Sequence, residues 1–275
     1  MTQQSDTSAD SVGEVYDQFA DAGATTAMGG NIHVGYWDDD PGVPLAAATD
    51  RLTDLVADRL ALRPDQHLLD VGCGIGVPAL RIAAGHGVHV TGVTVSQQQV
   101  AEAAERAVGA GLGGRVSFRL ADATDLPFQD GSFDGAFAIE SLLHVTDQIG
   151  ALRELRRVVQ PGGRLAVADL CLRRPFSGDD KAVLEGMLRM YEIAGINTPD
   201  EHRARLAAAG WELLELTDIG EQVRASYGHA AAAFRGLADS LDPGAAEQMT
   251  AAADLMEGVG ENPHTGYVLI TAQRS

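Results

Sequence analysis

The stretch Leu68–Gly76, which reads LLDVGCGIG, decides the fold of this chain. An apolar run that ends in Asp70 is typical of a buried strand, and helical sequence follows the stretch directly. Three glycines at alternate positions remove the Cβ atoms where the backbone must turn sharply under a bound molecule. These glycines are Gly72, Gly74 and Gly76. The loop therefore presents free backbone N–H groups at a helix N-terminus.

The spacing of this loop indicates the kind of ligand. The pattern is D-x-G-x-G-x-G, which differs from the G-x-G-x-x-G of dinucleotide-binding proteins and from the phosphate loop that ends in G-K-S/T. No lysine follows the glycines. The pattern therefore favours a nucleoside ligand without a polyphosphate.

Strand-like and helix-like segments alternate after this loop. The predicted strands are His67–Val71, Val88–Thr94, Val116–Ala121, Gly135–Ile139, Arg164–Cys171, Trp211–Thr217 and Tyr267–Gln273. Helical patterns separate the first five strands, an order that produces βαβ units and a parallel sheet covered on both faces. The sequence therefore predicts an α/β fold with a seven-stranded, mostly parallel sheet. Further helices are predicted over Lys181–Ala194 and Glu221–Leu241.

Composition and charge disfavour several classes of function. The 39 acidic and 20 basic residues give a formal charge of −19, which repels nucleic acid and anionic membranes, although solubility alone accounts for such a charge. No apolar run is long enough to span a bilayer, and the first ten residues lack the features of a signal peptide. Cys73 and Cys171 are expected to be reduced thiols in a cytoplasmic protein. His86 and His89 lack a third ligand at metal spacing, so no metal site is predicted.

Three motifs together resemble the S-adenosylmethionine-dependent methyltransferases with a Rossmann-like fold. They are LLDVGCGIG, ADATDLPF (121–128) and the turn PGG (161–163), and the resemblance covers residues 45–172. NIHVGYW (31–37) and ESLLHV (140–145) are similar to segments of bacterial small-molecule methyltransferases that act on sugars, polyketides and terpenoids. The resemblance implies S-adenosylmethionine as methyl donor and S-adenosylhomocysteine as product.

The resemblance also implies an organisation of the chain as one methyltransferase domain. Residues 1–44 are expected to form an N-terminal lid, and residues 45–172 the cofactor-binding core. Residues 173–265 are expected to form a helical cap with one strand, and residues 266–275 the last strand. The sequence leaves open whether the chain forms a homo-oligomer.

The residues implied to bind the cofactor are distributed over the ends of four strands and the lid. They are Tyr16, His33, Asp70, Gly72, Gly74, Gly76, Thr94, Ser96, Gln99, Asp122, Ala123 and Glu140. Asp70 would receive the ammonium group, and Gln99 would bind the ribose where the fold often has an acidic residue. Asp122 and Ala123 would line the adenine. Each has a structural alternative, such as a loop-stabilising Asp70, a solvent-facing Gln99 or a surface-turn Asp122.

His144 is the candidate general base. It follows the fourth strand, where the reactive methyl group would lie, and a histidine can remove a hydroxyl proton near neutral pH. Asp169 is expected to orient His144 or to contact the acceptor. Related enzymes often have two adjacent histidines here, whereas this chain has Leu143 and then His144. A packed, hydrogen-bonded histidine is the alternative.

The acceptor is expected to bind beneath the helix Lys181–Ala194. The predicted lining residues are Leu143, Met187, Met190 and Tyr191. A methionine stripe at helical spacing is also typical of plain core. The sequence thus predicts a methyltransferase of secondary metabolism that acts on a small, fairly apolar natural product, with O-methylation favoured. C-methylation of an alkene or prenyl group, or a cyclase that keeps the cofactor as a structural element, are the alternatives.

Overall fold

The computed structural model describes residues 11–15, 17, 31, 33–38, 40, 42–178 and 180–275. Residues 11–15 and 17, within the predicted N-terminal lid, are helical. Tyr16, a predicted cofactor residue, lies outside the described residues. No helix in these ranges is long and apolar enough to cross a membrane.

The strands and helices follow the alternation that the sequence predicts. The strands are β1 (His67–Val71), β2 (His89–Thr94), β3 (Val116–Leu120), β4 (Phe133–Ile139), β5 (Val159–Leu172), β6 (Trp211–Asp218) and β7 (Thr265–Arg274). The helices are α1 (Leu45–Leu60), α2 (Val77–His86), α3 (Gln97–Gly109), α4 (Gln148–Val158), α5 (Asp180–Met190), α6 (Pro199–Ala208), α7 (Gly220–Val223), α8 (Ala225–Ala238) and α9 (Pro243–Glu261). A 3-10 turn spans Leu142–His144.

The sheet has seven strands in the order β3-β2-β1-β4-β5-β7-β6. The first five strands pair in parallel, and β7 runs antiparallel to both β5 and β6. This topology confirms the predicted mostly parallel seven-stranded α/β fold. The strand order reverses between β1 and β4, and a crevice at the carboxyl ends of the strands at such a point is where ligands bind in open α/β sheets.

The core lies on both faces of this sheet because neighbouring strand residues point to opposite sides. Leu68 packs in one cluster with residues of α1, α2, α5, α8 and α9, whereas Leu69 packs in another with residues of α4 and α6. Each fully buried leucine contributes about 2 kcal/mol of hydrophobic stabilisation. Within the predicted cap, α5, α8 and α9 therefore share the core on one sheet face and α6 packs on the other, while β6 is an edge strand of the sheet itself.

Most elements depart from the predicted bounds by one to three residues, and the predicted helix Glu221–Leu241 is two helices, α7 and α8. Two departures are larger. The turn Pro161–Gly163 lies within β5, where the register with β4 shifts between the Phe133 and Gly135 pairs, so β5 begins five residues earlier than Arg164. Helix α5 ends at Met190 instead of Ala194, because Glu192 adopts a left-handed conformation with φ +48°.

Candidate active site

The loop after β1 turns through three glycines in the left-handed region. The φ angle is +74° at Gly72, +51° at Gly74 and +81° at Gly76. A Cβ on Gly72 would lie 2.2 Å from the Cβ of Ser141, whereas a Cβ on Gly74 would meet no atom within 4 Å. Gly74 therefore leaves space over the N-terminus of α2 for a ligand to approach the backbone.

A cavity of about 360 Å³ lies above this loop, at the carboxyl ends of β1, β2 and β4. Most of the predicted cofactor residues line it: His33, Asp70, Gly72, Gly74, Thr94, Gln99, Asp122, Ala123 and Glu140. His144, the candidate base, lines the same cavity. The fold therefore brings residues from five separate segments of the sequence to one site.

Asp70 places a carboxylate at the floor of the cavity. Its side chain is only 2% exposed, and its Oδ2 has no hydrogen-bond partner among the described residues. Burial raises the pKa of Asp70 well above its ordinary range. A buried carboxylate is stabilised by a cation, so an ammonium group of a ligand would restore its charged form.

Neutral hydrogen-bonding groups follow β2 where an acidic residue is often found. The Thr94 hydroxyl accepts from the Ser96 N–H at 3.3 Å and donates to Oε1 of Gln99 at 2.6 Å. Because Thr94 engages the amide oxygen, the NH₂ group of Gln99 is the part that can donate to a ligand hydroxyl. Ser96 does not line the cavity; its Oγ caps α3 by accepting from the Gln99 N–H at 3.0 Å.

Asp122 and Ala123 border the cavity after β3. Asp122 is exposed, and its Oδ1 accepts from the backbone N–H and the hydroxyl of Thr124, both at 2.7 Å. Such a turn fixes the carboxylate while leaving its second oxygen able to accept from a ligand amine. Ala123 is buried beside it.

Glu140 joins the cavity to two distant parts of the chain. Its Oε1 accepts from the Val34 N–H at 2.8 Å and from the Tyr267 hydroxyl at 3.0 Å. Burial raises the pKa of Glu140 to about 7, although both hydrogen bonds oppose the shift. Its backbone has φ +49°, a conformation that non-glycine residues adopt mainly at turns and functional sites.

Val34 belongs to a strap, defined as residues 33–37, which corresponds to part of the NIHVGYW motif. The Gly35 N–H donates to Oγ of Ser226 at 2.9 Å, and the Trp37 N–H donates to the carbonyl of Gln222 at 2.9 Å. Trp37 is buried and stacks on His229. The strap therefore connects α7 and α8 to the cavity wall.

His33, the first residue of the strap, lines the cavity through a ring that is already engaged. Its Nδ1 lies 2.8 Å from the carbonyl of Val34, and its Nε2 lies 3.4 Å from Oγ1 of Thr53. Burial lowers the pKa of His33 to about 4. His33 is therefore a neutral wall residue at physiological pH.

His144 lies at the end of the 3-10 turn that follows β4. Its Nδ1 lies 3.0 Å from the carbonyl oxygen of Glu192. A carbonyl can only accept, so the proton of the neutral ring is on Nδ1 and Nε2 is the basic nitrogen. Burial lowers the pKa of His144 to about 4, which keeps the ring neutral at physiological pH.

Asp169 was expected to orient His144 or to contact the acceptor, but it does not line the cavity, and the Nδ1 atom of His144 is held by Glu192 instead. The carboxylate is 2% exposed and accepts from the backbone N–H groups of Leu170 and Leu143. Burial, together with the charge of Glu140, raises the pKa of Asp169 well above its ordinary range. Asp169 therefore supports the turn that carries His144, and Glu192 is the residue that holds the ring.

Five further predicted residues lie outside the cavity. A Cβ on Gly76 would lie 2.4 Å from the ring of Phe118, so this glycine is required by packing. The four predicted acceptor-binding side chains pack in or against the core instead: Leu143, Met187, Met190 and Tyr191. Met187 and Met190 are therefore part of the core or pack against it, which is the alternative that the sequence left open for them.

Several lining residues were not singled out from the sequence. They include Val12, Gly13, Asn31, Ser141 and Asp147. Ser141 donates from Oγ to the carbonyl of Val71 at 2.5 Å and thereby ties the end of β4 to the glycine loop. Its position next to Glu140 in the ESLLHV motif is the feature of the sequence that could have identified Ser141 as a lining residue. Among the described residues, no group of three or more histidine, cysteine or acidic side chains is arranged to hold a metal ion.

The donor set fits S-adenosylmethionine. Asp70 can accept from the ammonium group, Gln99 can donate to a ribose hydroxyl, and Asp122 can accept from the adenine amine. Gly74 leaves room for the part of the cofactor that approaches the backbone of the glycine loop. Together the sheet topology, the glycine loop and these groups define a Rossmann-like methyltransferase that uses this cofactor.

Sequence and structural similarity assign the family. Residues 69–167 match the family described as a methyltransferase domain. The chain belongs to the S-adenosylmethionine-dependent methyltransferases. It is 40% identical over 264 residues to an O-methyltransferase of Aspergillus sclerotiorum, with 96% of each chain covered. It is 40% identical over 265 residues to the 27-O-demethylrifamycin SV methyltransferase of Amycolatopsis mediterranei, again with 96% of each covered.

The fold also matches solved structures over almost its whole length. The [4+2]-cyclase SpnF is 36% identical, with a TM-score of 0.84 over 98% of this chain and 96% of that one. A protein named as a cyclase therefore shares this architecture with proteins named as O-methyltransferases.

Proposed function

We propose that this enzyme transfers a methyl group from S-adenosylmethionine to a hydroxyl oxygen of a small, uncharged natural product, with His144 as general base. One observation carries the proposal: the neutral His144 ring lies in the cofactor cavity with its Nδ1 held 3.0 Å from the Glu192 carbonyl. The names of the relatives support an oxygen acceptor and a role in secondary metabolism.

The chain would contribute proton removal and positioning. Bound S-adenosylmethionine would supply an electrophilic methyl group on a sulfonium sulfur. Nε2 of His144 would accept the proton of the acceptor hydroxyl as the hydroxyl oxygen takes the methyl group, with S-adenosylhomocysteine as the other product. The low pKa of His144 keeps Nε2 unprotonated before the reaction.

The charge of the cavity lining indicates whether the acceptor is charged or neutral. Its lining contains Asp70, Asp122, Glu140 and Asp147 but no lysine or arginine among the described residues. A diphosphate or carboxylate acceptor would find no cationic side chain among these lining residues, whereas a neutral alcohol requires none. This charge pattern favours an uncharged acceptor over a prenyl diphosphate, the acceptor type that C-methylation of a prenyl group would use.

A cyclase that keeps the cofactor as a structural element is the second candidate. The 36% identity to the [4+2]-cyclase SpnF over nearly the whole chain favours it. In that case the same cavity would hold the cofactor, and no methyl group would leave it.

Incubation with methyl-labelled S-adenosylmethionine and a panel of hydroxylated polyketides, glycosides and terpenoids separates these functions. Label in the product supports O-methylation, and a rearranged product with all label still in the cofactor supports cyclisation. A substrate whose hydroxyl is already methylated serves as the control, because it should accept no label if oxygen is the acceptor atom.

The role of His144 is tested separately. His144→Ala should lower turnover by roughly 10²–10⁴-fold while the affinity for S-adenosylhomocysteine stays within about twofold. His86→Ala, which removes a histidine at the end of α2, should leave both values unchanged. Normal turnover of His144→Ala would rule out this base.

A further inference from the structure

The N-terminal segment, defined as residues 11–15 and 17, forms part of the cavity wall. Val12 and Gly13 line the cavity. A Cβ on Gly13 would lie 3.3 Å from the carbonyl oxygen of Val95, so the segment packs closely on the loop that follows β2. The two ends of this segment make hydrogen bonds on different sides of the site.

One end is attached beside the predicted ribose-binding residue. Oδ1 of Asp17 accepts from the hydroxyl of Ser96 at 2.6 Å. Ser96 is also the N-cap of α3 and accepts from the backbone N–H of Gln99. A carboxylate at a helix N-terminus is electrostatically favourable, so Asp17 stabilises the arrangement in which Gln99 faces the cavity.

The other end is attached to the residue that holds His144. The Ser11 hydroxyl donates to Oε2 of Glu192 at 3.4 Å, while the carbonyl of Glu192 accepts from Nδ1 of His144. Glu192 therefore contacts the segment through its side chain and the candidate base through its backbone.

The backbone around Glu192 is held in one conformation. Its φ of +48° is at the position after α5 where glycine is usual, and the Ile193 N–H closes the helix by donating to the carbonyl of Leu188 at 2.8 Å. The Ala194 N–H donates to the carbonyl of Leu143 at 3.0 Å, directly beside His144. The residue whose side chain meets the N-terminal segment is thus joined through its backbone neighbours to the turn that carries His144.

We propose that the N-terminal segment couples cofactor binding to the orientation of His144, with Asp17 and Glu192 as positioning residues at its two ends. When the cofactor is bound against Gln99, the hydrogen bond between Asp17 and Ser96 is favoured. The segment held by this bond keeps its contact with the Glu192 side chain, and the Glu192 carbonyl in turn holds the His144 ring. Such coupling is reciprocal, so loss of the Glu192 contact must weaken cofactor binding although Glu192 does not line the cavity. The inference builds on the proposed role of His144.

Calorimetric titration with S-adenosylhomocysteine tests the coupling. Asp17→Ala should weaken binding by roughly threefold to tenfold, the range of one hydrogen bond, and Glu192→Ala by about twofold or more. The double variant should bind S-adenosylhomocysteine no more weakly than whichever single variant binds it less tightly, because loss of either hydrogen bond releases the segment. Asp17→Asn and Glu192→Gln keep an acceptor oxygen and should bind nearly as wild type, as should Glu105→Ala on the exposed face of α3.

Nitrogen-detected NMR of the histidine side chains, assigned with His144→Ala, supplies a second measurement. Addition of S-adenosylhomocysteine should shift the His144 resonances in wild type, and Asp17→Ala should remove most of that shift. The coupling would be overturned if Glu192→Ala bound S-adenosylhomocysteine as tightly as wild type, or if the effects of the Asp17 and Glu192 substitutions on affinity multiplied in the double variant. An unchanged His144 signal on addition of the ligand would also overturn it. These readouts need no acceptor, so they stand even if His144→Ala shows that His144 is not the base.

Discussion

Glu140→Gln should stabilise the cofactor-free protein increasingly as the pH rises. Glutamine keeps a carbonyl oxygen for the Val34 and Tyr267 donors but carries no charge. The pKa of Glu140 is about 7 in the folded protein against an ordinary value of 4.5. At 1.36 kcal/mol per pKa unit, ionising this residue in the folded state costs about 3 kcal/mol more than in the unfolded chain.

The sign and size of the effect follow from this difference. The folded state holds the Glu140 proton more tightly, so wild type loses this stability as the pH rises from about 4.5 through 7, and Glu140→Gln does not. Residual exposure of Glu140 screens part of the charge, so we expect a gain of about 1–3 kcal/mol at pH 8 and a small gain at pH 5.

Urea unfolding of both proteins between pH 5 and pH 8 measures the effect. The contribution of Asp70 is common to both proteins and cancels in the difference. The pKa of Asp169 is raised partly by the charge of Glu140, so loss of that repulsion in Glu140→Gln is part of the measured gain. Glu140→Ala, which leaves two donors without their acceptor, should be less stable than wild type at pH 5 and is the matched control. A difference between Glu140→Gln and wild type that does not change with pH would refute the buried-charge explanation.

Three further substitutions test the cavity floor. Gly74→Val should abolish detectable S-adenosylhomocysteine binding in calorimetry, because the side chain enters the open space and the φ of +51° disfavours valine; retained binding would contradict the assigned floor. Gly76→Ala should lower stability by about 1–3 kcal/mol in urea unfolding, since its Cβ would overlap Phe118, and a neutral result would contradict the packing explanation. Asp70→Asn should weaken S-adenosylhomocysteine binding about tenfold or more through loss of the charge, and equal affinity would exclude an ammonium contact.

The sequence predicted the framework because the framework depends on local patterns. β1 matches its predicted bounds of His67–Val71, and α3 begins directly after Ser96, whose side chain caps it. Apolar runs, a capping serine and glycine turns act over a few residues, so one sequence is enough to place them. The PGG turn was harder, because it interrupts a strand instead of preceding one: Val159 pairs with Phe133 before the turn, and Arg164 pairs with Gly135 after it.

The site was predicted less completely because its contacts join distant segments. Nothing in ESLLHV indicates that Glu192, 48 residues later, holds His144, or that Asp169 accepts from a backbone N–H of that turn. Gly76 resembles a ligand glycine in sequence, and only the position of Phe118 shows why it is small. Met187 has the same pattern whether it lines a pocket or fills a core, and the structure places it in the core.

The acidic lining of the cavity has a consequence for turnover. Methyl transfer converts a positively charged sulfonium into a neutral thioether, so the product retains one positive charge fewer than the substrate. The carboxylates of Asp70 and Glu140 attract the substrate more strongly than the product for that reason. The charge on these residues would thus favour loading of the cofactor over retention of its demethylated form.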